Sequence, residues 1–182
     1  MKKFILGFIF GIALSLTAVA YASDTVETYL YQATFLFNDE RKDPESEYVV
    51  LNYNGHAYLP IRFVAENLGA VIGYDDESRT ISIKNKPLDI TDPDRAPNST
   101  LFKVGNLILI KEGENTKVIG QFDVGEYTGY VGINLSFYNS QGEKIGQVGI
   151  GGFYRTGIHP FEVIGEGDFR NYATVRMHVE RP

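Results

Sequence analysis

The chain has 182 residues, 43% of them hydrophobic, no cysteine and a formal net charge of −6. An acidic chain without a Lys/Arg cluster argues against partners that carry dense negative charge, so nucleic acid and anionic membrane surfaces are not expected ligands. The absence of cysteine excludes disulfides, thiol chemistry and thiolate metal sites. The fold must therefore depend on burial of apolar side chains, which 12 Phe and 12 Tyr residues help to supply.

The first 22 residues predict export. Lys2 and Lys3 precede an apolar run over residues 4–19, and small residues stand three and one positions before Ser23. This order is typical of a secretory signal peptide. We predict cleavage between Ala22 and Ser23 and a secreted or cell-surface location. The alternative is an uncleaved anchor, and then this segment alone would contact the membrane.

Residues 23–86 combine strand and helix signals. Tyr29, Tyr31, Ala33, Phe35 and Phe37 fall on one face of a predicted extended segment, because their spacing has a period of two. A charged loop is predicted over residues 39–47, followed by a second β-rich run over residues 48–53. These signals predict strands that pair in an antiparallel sheet.

A hairpin and a helix follow in the same part of the chain. Asn54-Gly55 suits the two left-handed positions of a type I′ turn. Pro60 stands where a helix can begin, since its missing N–H costs nothing there, and Gly69 is the expected helix end. The predicted apolar stripe of this helix consists of Ile61, Val64, Ala65 and Leu68. The prediction for residues 23–86 is an α+β module, an antiparallel sheet with one short helix.

The remaining chain predicts an all-β domain. Residues 87–100 contain three prolines among acidic residues and are predicted to be a linker or long loop. Residues 101–182 carry β-rich runs separated by glycine-bearing turns, without helical periodicity. Short strands at such regular spacing favour a β-sandwich-like domain.

The hairpin, helix and following strands carry a motif of nine residues. They are Gly55, Tyr58, Pro60, Arg62, Leu68, Gly69, Asp75, Thr80 and Ile83. This pattern resembles the stalk domain family, also called the copper amine oxidase N-terminal-like domain. Two positions depart from it, since Tyr74 stands where Trp is commonest and Gly73 where a longer polar residue is usual. The resemblance implies a non-catalytic, exported module of a Gram-positive bacterium, joined to a varied partner domain.

The second half carries a fainter resemblance. Residues 137–142 read Phe-Tyr-Asn-Ser-Gln-Gly between two predicted strands. This feature resembles the hairpin of immunoglobulin-like extracellular domains, although other sandwich hairpins could produce it. The resemblance implies a sandwich and no particular activity.

The family name invites a test for copper chemistry. Copper amine oxidases use three histidines on the metal and a tyrosine in an Asn-Tyr-acid sequence. The three histidines here, His56, His159 and His178, fall in separate predicted strands and a loop, and Asn54 follows Asn52-Tyr53 instead of an acid. We therefore expect no metal and no cofactor.

Other catalytic patterns are also missing from the sequence. No serine occurs in a Gly-x-Ser-x-Gly setting, which a nucleophile elbow requires. Asp75, Asp76 and Glu77 are adjacent, so they point apart and predict a polar turn instead of the facing carboxylates of a glycosidase. The glycine-rich run over residues 146–152 lacks the Lys-Ser/Thr and the helix of a phosphate loop, and predicts glycines within a strand. The expectation is a protein that is not an enzyme.

Two groups of residues have both a structural and a binding interpretation. Arg62 could hold a ligand, but it is better explained as a structural residue that pairs with Glu66 one helical turn away. Aromatic residues of the second half could either form core or hold sugars and wall polymers by stacking. These candidate ligand contacts are Tyr127, Tyr130, Tyr138, Phe153 and Tyr154.

The favoured function is an exported, non-catalytic adaptor or spacer that binds a secreted protein or a cell-envelope polymer. It depends on the stalk-like motif and on the lack of a catalytic pattern. One alternative is a carbohydrate-binding protein that uses the aromatics of the second domain. Another is a regulator or inhibitor of a secreted enzyme.

Overall fold

The computed structural model describes residues 26–94 and 102–180 of the chain. The predicted signal peptide, with its cleavage site between Ala22 and Ser23, lies outside these residues. No helix in the described ranges is both long enough and apolar enough to cross a membrane.

The described residues form two compact units. Residues 26–32 and 50–58 make up the first unit, and all other described residues belong to the second. The predicted boundaries after residues 22, 86 and 100 follow chain order and stay predictions.

Antiparallel strands of 2 to 11 residues dominate both units, and one short helix lies among them in the described ranges. This confirms the predicted class, a small α+β module followed by a β-rich domain. The elements are β1 (Tyr29–Leu30), β2 (Phe35–Phe37), β3 (Glu40–Lys42), β4 (Leu51–Tyr53), β5 (His56–Tyr58), α1 (Ile61–Asn67), β6 (Val71–Asp75), β7 (Thr80–Lys84), β8 (Lys103–Glu112), β9 (Asn115–Asp123), β10 (Gly129–Tyr138), β11 (Lys144–Tyr154), β12 (Ile158–Gly165) and β13 (Thr174–Glu180).

The first unit is a three-stranded sheet in the order β1-β4-β5. Asn54 and Gly55 connect β4 to β5 with φ angles of 51° and 79°. Both residues thus have left-handed backbone conformations, as a type I′ turn requires, and Tyr53 pairs with His56 across the turn. The hairpin predicted from Asn54-Gly55 is confirmed.

The single extended segment predicted over residues 29–37 is wrong, because the chain there forms two short strands. β2 pairs with β3 through a turn at Asn38 and Asp39, whose φ angles are 51° and 67°. Asn and Asp tolerate the left-handed region better than other side chains, so they close this hairpin without glycine. The second hairpin lies partly in the stretch for which a charged loop was predicted.

Helix α1 begins after Pro60, and Gly69, with a φ of 72°, follows its end. The predicted stripe is only partly correct. Ala65 is buried, but Ile61 and Leu68 are exposed, and Phe63 is buried instead. The ring of Phe63 lies between aromatic rings from β2 and the chain after β3. These contacts explain why the buried face of α1 differs from the predicted one. Its neighbours are Phe35, Phe37 and Tyr48, with ring centroids 5.6, 5.5 and 6.1 Å away.

The larger part of the second unit consists of two three-stranded antiparallel sheets, β11-β10-β13 and β12-β9-β8. Strands β10 and β13 alternate between buried and more exposed residues, as expected when a sheet gives one face to a core. Strand β8 is buried along most of its length, because side chains on both of its faces are covered. The most deeply buried side chains of this core are Val104, Val118, Phe122, Val124, Val131, Ile133, Leu135, Phe137, Phe169 and Met177.

The hairpin β6–β7 packs on the outer face of sheet β12-β9-β8. Val71 contacts Ile108 and Ile110 there, with Ile119 beside them. Gly73 has no room for a side chain, since an added Cβ would lie 2.9 Å from Ile108 Cγ2 and 3.0 Å from Ile110 Cδ1. The departure from the family pattern at Gly73 therefore has a physical cause in this contact.

A buried polar chain joins the same elements. Gln121 of β9 donates from Nε2 to the carbonyl of Gly69 (3.1 Å) and accepts a hydrogen bond from Asn106 (2.9 Å). Asn106 in turn holds both backbone polar groups of Lys86. Because Gln121 and Asn106 are buried, their amide groups depend on these protein partners.

The described part of the predicted linker contacts the sheets. Ile90 forms a bridge with Val104 of β8. The carboxylate of Asp92 is buried and accepts hydrogen bonds from the backbone N–H groups of Val179 (2.8 Å) and Asp94 (3.0 Å). This segment is therefore tied to both sheets.

Candidate binding surface

The outer face of sheet β11-β10-β13 carries two exposed aromatic rings side by side. Tyr130 of β10 and Phe153 of β11 are directly opposite in the antiparallel register, so both side chains leave the same face. Tyr130 is 62% exposed and Phe153 is 69% exposed. Apolar rings of this size usually avoid water, so a pair left open at one end of a sheet is informative.

Next to the two rings, three glycines leave the backbone of the same face without side chains. We call this area the glycine floor. Gly132 and Gly151 are cross-strand partners, and Gly149 pairs with Asn134 one row further on. At Gly151 an added Cβ would meet nothing closer than 3.9 Å, and at Gly149 the nearest atom would be Asn134 Oδ1 at 3.3 Å. Neither has the positive φ that favours glycine. Packing within the chain therefore does not require glycine at position 151, whereas a side chain at position 149 would require a small shift of Asn134.

Two other glycines nearby have a clear structural cause. A Cβ on Gly146 would lie 2.3 Å from the buried ring of Phe169, and one on Gly165 would lie 2.7 Å from it. The predicted strand glycines of residues 146–152 thus have different causes. Gly146 makes room for the core, whereas Gly149 and Gly151 leave an open floor on the outer face, where a ligand can approach the backbone.

A groove of about 600 Å³ extends from this floor across the edge of β11 to β12. Its side-chain hydrogen-bonding groups come from Asn134, Gln147, Lys144 and Glu166. It holds one basic and one acidic side chain, so its charge is balanced. Two primary amides and a balanced charge suit a neutral ligand rich in hydroxyl or amide groups.

The polar side chains beside the groove are held in place by neighbours. Asn134 Nδ2 donates to Glu180 Oε1 at 2.7 Å, across the pair β10–β13. The guanidinium of Arg176 lies over the ring of Tyr138, 5.0 Å from its centroid. These contacts restrict the side chains before any ligand binds, which lowers the entropic cost of binding.

The five aromatic candidates do not all lie together. Tyr130, Phe153 and Tyr138 share the outer face. Tyr154 points inward, 4.7 Å from the ring centroid of Phe122, and Tyr127 packs against Phe102 at 5.7 Å. Strand alternation could have separated them from sequence, because adjacent residues such as Phe153 and Tyr154 must leave opposite faces.

The structural residues of the family motif lie around α1. Arg62 is about half exposed and its Nη1 is 3.4 Å from Glu66 Oε1, the partner expected from helical spacing. Pro60 caps the start of the helix and Gly69 follows its end. The interpretation of Arg62, Pro60 and Gly69 as structural residues stays a prediction.

Histidines and acids form one close group among the described residues. Asp92, Asp94 and His178 place possible ligand atoms within 4.8 Å of one another. His178 Nδ1 lies 3.7 Å from Asp92 Oδ2, but that oxygen already accepts the N–H of Val179. His159 contacts the rings of Phe122 and Tyr154 instead. Asp92 thus has a structural explanation, as an acceptor for backbone N–H groups.

An ion-pair cluster lies where the β6–β7 turn meets the loop before β13. Arg170 donates to both carboxylate oxygens of Asp168, at 2.9 and 2.8 Å. These hydrogen bonds lower the pKa of Asp168 to about 2. The pKa of Asp75 is also lowered, mainly by the hydrogen bond that its carboxylate accepts from the backbone N–H of Ser78. Arg170 also approaches Asp75 and Glu77, at 4.0 and 3.8 Å.

The elements described above define a mostly antiparallel β protein with one short helix in its α+β part. Residues 15–83 match the family model of the copper amine oxidase N-terminal domain, which confirms the resemblance predicted from the hairpin and helix motif. The matched model describes a non-catalytic domain. No curated protein and no solved structure gives a match to the chain. The immunoglobulin-like resemblance of the second half stays a prediction.

Proposed function

We propose that the chain is an exported, non-catalytic adaptor that holds a neutral cell-envelope polysaccharide on the outer face of sheet β11-β10-β13. The observation that carries this proposal is the exposed pair Tyr130 and Phe153, continuous with a glycine floor and a polar groove. Export is supported by the signal-like first 22 residues, and the lack of catalysis by the non-catalytic family that matches residues 15–83.

The chemistry of a sugar chain suits this face. Sugar rings present flat patches of C–H groups that stack on aromatic rings, and their rims carry hydroxyl groups that hydrogen-bond to amides. Asn134 and Gln147 supply such amides within reach of the groove floor. Gly149 and Gly151 leave the backbone open, so a flat ring can lie close to the sheet.

The dimensions of the face favour an extended polymer over a single sugar. Tyr130 and Tyr138 lie on the same face of β10 and are eight residues apart in the strand. At a rise of about 3.3 Å per residue, this separation is roughly 26 Å. A chain of several sugars is needed to reach from Tyr130 to the contact between Tyr138 and Arg176.

The test is co-sedimentation of the purified protein with insoluble chitin, cellulose and Gram-positive cell-wall material. We expect retention by at least one of them, and a Tyr130→Ala/Phe153→Ala variant should bind about tenfold more weakly, since two stacking rings are lost. The matched control is Tyr29→Ala, because Tyr29 is 63% exposed but lies in the first unit. Unfolding curves would confirm that all variants are folded.

Three results would contradict the proposal. Absence of retention by every polymer would reject a polysaccharide ligand. Full retention of the double variant would show that the polymer binds elsewhere, and loss of binding in Tyr29→Ala would place the site in the first unit.

A further inference from the structure

The outer face of sheet β12-β9-β8 is only half covered. Hairpin β6–β7 packs on β8 and β9 through Ile108, Ile110 and Ile119. The outward side chains of edge strand β12 are left open, among them Ile158, which is 59% exposed. Pro160 and Glu162 follow it on the same face, since they are two and four residues further along the strand.

Two cavities meet along this open strip and form a trough between α1 and β12. Their volumes are about 640 and 460 Å³, and Arg62, Ile119 and Glu162 line both. The larger cavity has an apolar wall that includes Ile158 and Pro160. The smaller one is lined mainly by charged side chains of β8, β9 and the turns beside them.

The trough carries more acid than base. Six acids line it, against three bases. Each base is already paired with an acid of the trough, so none is left to bind an anion. The acids are Glu66, Asp76, Glu77, Glu112, Glu114 and Glu162. The ion pairs are Arg62–Glu66, Lys111–Glu77, Lys117–Glu112 and Lys117–Glu162.

The free edge of β12 argues against strand addition in this trough. Pro160 lies in the middle of the strand, opposite Gln121. A proline has no N–H to donate, so a partner strand cannot complete its hydrogen-bond ladder there. A partner must therefore bind through side chains.

From this geometry we propose that the trough is a docking site for a lysine- or arginine-rich segment of another protein that also carries a large apolar side chain. The apolar side chain of the partner enters the larger cavity beside Ile158. Its cationic side chains contact the excess of acidic side chains that line the smaller cavity. This site lies on the opposite sheet from the proposed polysaccharide surface and does not depend on it. Both together would make the chain a link between a polymer and a protein.

The test uses a fluorescent lysine-rich peptide with one central phenylalanine and measures its anisotropy with the full chain. We expect saturable binding that weakens as salt rises. The same peptide with Glu for Lys should not bind, and a version with Ser for Phe should bind more weakly. In the protein, Ile158→Ser/Glu162→Gln should lower the affinity by roughly tenfold or more, the equivalent of about 1.4 kcal/mol.

The matched control variant is Ile81→Ser/Glu126→Gln. Ile81 is an exposed strand residue and Glu126 an exposed acid, and neither lines the trough. Equal affinities of the two double variants for the basic peptide would overturn the proposal, because binding would then reflect general negative charge. Equal binding of the acidic peptide would also overturn it. Displacement of the peptide by soluble chitin fragments would assign the trough to sugars instead.

Discussion

The two sheets of the second unit differ in what covers their outer faces. The face of β12-β9-β8 is covered over β8 and β9 by hairpin β6–β7, whereas the face of β11-β10-β13 carries two exposed aromatic rings. Both faces contain strand glycines without a positive φ, Gly73 against the covered face and Gly151 on the open one. The same residue type therefore has two different causes, close packing in one case and an open floor in the other.

Polar side chains differ between the faces in the same way. Gln121, on the covered face, is buried and bonded at both ends of its amide. Gln147, on the open face, is exposed and lines the polar groove. What covers a face thus decides whether a residue acts in stability or remains accessible to a ligand. We can test this difference between the faces by changing one residue on each face and measuring both stability and binding.

The largest effect is expected for Gly73→Val. Even the first added carbon would lie 2.9 Å from Ile108 Cγ2, so the hairpin and the sheet must separate. We expect a loss of about 2–3 kcal/mol in the free energy of unfolding, the range for overpacked sites. Urea unfolding followed by tyrosine fluorescence would measure it.

Gly151→Ala is the counterpart on the open face. Its added Cβ has no neighbour within 3.9 Å, so the variant should be as stable as the parent or more stable by about 0.5 kcal/mol. Its binding to insoluble polysaccharide should weaken, because the methyl group raises the floor. A strong destabilisation of Gly151→Ala would contradict the distinction between the two kinds of glycine.

A smaller effect is expected for Gln121→Met. The substitution keeps the size of the side chain but removes the hydrogen bonds to the carbonyl of Gly69 and to Asn106. We expect a loss of about 1–2 kcal/mol, the cost of leaving buried polar groups without partners. Thermal unfolding monitored by circular dichroism would detect it.

Gln147→Met is the matched change on the open face. Its amide is exposed, so stability should change by less than about 0.5 kcal/mol. Polysaccharide binding, by contrast, should decrease in this variant and stay unchanged in Gln121→Met. Equal destabilisation by the two substitutions would show that the hairpin does not shield Gln121 from water.

Sequence alone predicted the elements whose signals are local. Asn54-Gly55 specified its turn, and Pro60 and Gly69 marked the two ends of the helix, because each acts through its own backbone. The buried face of α1 was predicted less well. Phe63 is buried by rings from β2 and the chain after β3, and no local periodicity could indicate those contacts.

The candidate binding surface was predictable to the level of residue type. Aromatic residues of the second half were recognised as candidates, and Tyr130 and Phe153 do lie side by side. Their pairing depends on the register between β10 and β11, which the chain sets through long-range core packing. The trough was not predicted, because it joins α1 to β12, which is about ninety residues later in the chain.

The smallest of the three effects expected on the covered face concerns the ion pairs at its rim, where Arg170 joins the loop before β13 to the β6–β7 turn. Asp168→Asn removes a carboxylate whose pKa is lowered to about 2 by its hydrogen bonds from Arg170. A lowered pKa stabilises the fold above the ordinary value of 3.8, and this contribution is lost as the pH falls through about 2. Because Asp168 is partly exposed, solvent screening limits the expected loss at pH 7 to about 0.5–1 kcal/mol.

The pH dependence distinguishes this ion pair from a purely steric effect of the substitution. The parent and Asp168→Asn should differ in unfolding temperature at neutral pH and converge between about pH 4 and pH 2, as Asp168 becomes protonated in the parent. High salt should reduce the difference at neutral pH. A difference that persists at pH 2 and in high salt would mean that the rim is held by packing, and that the covered face needs no electrostatic support from Arg170.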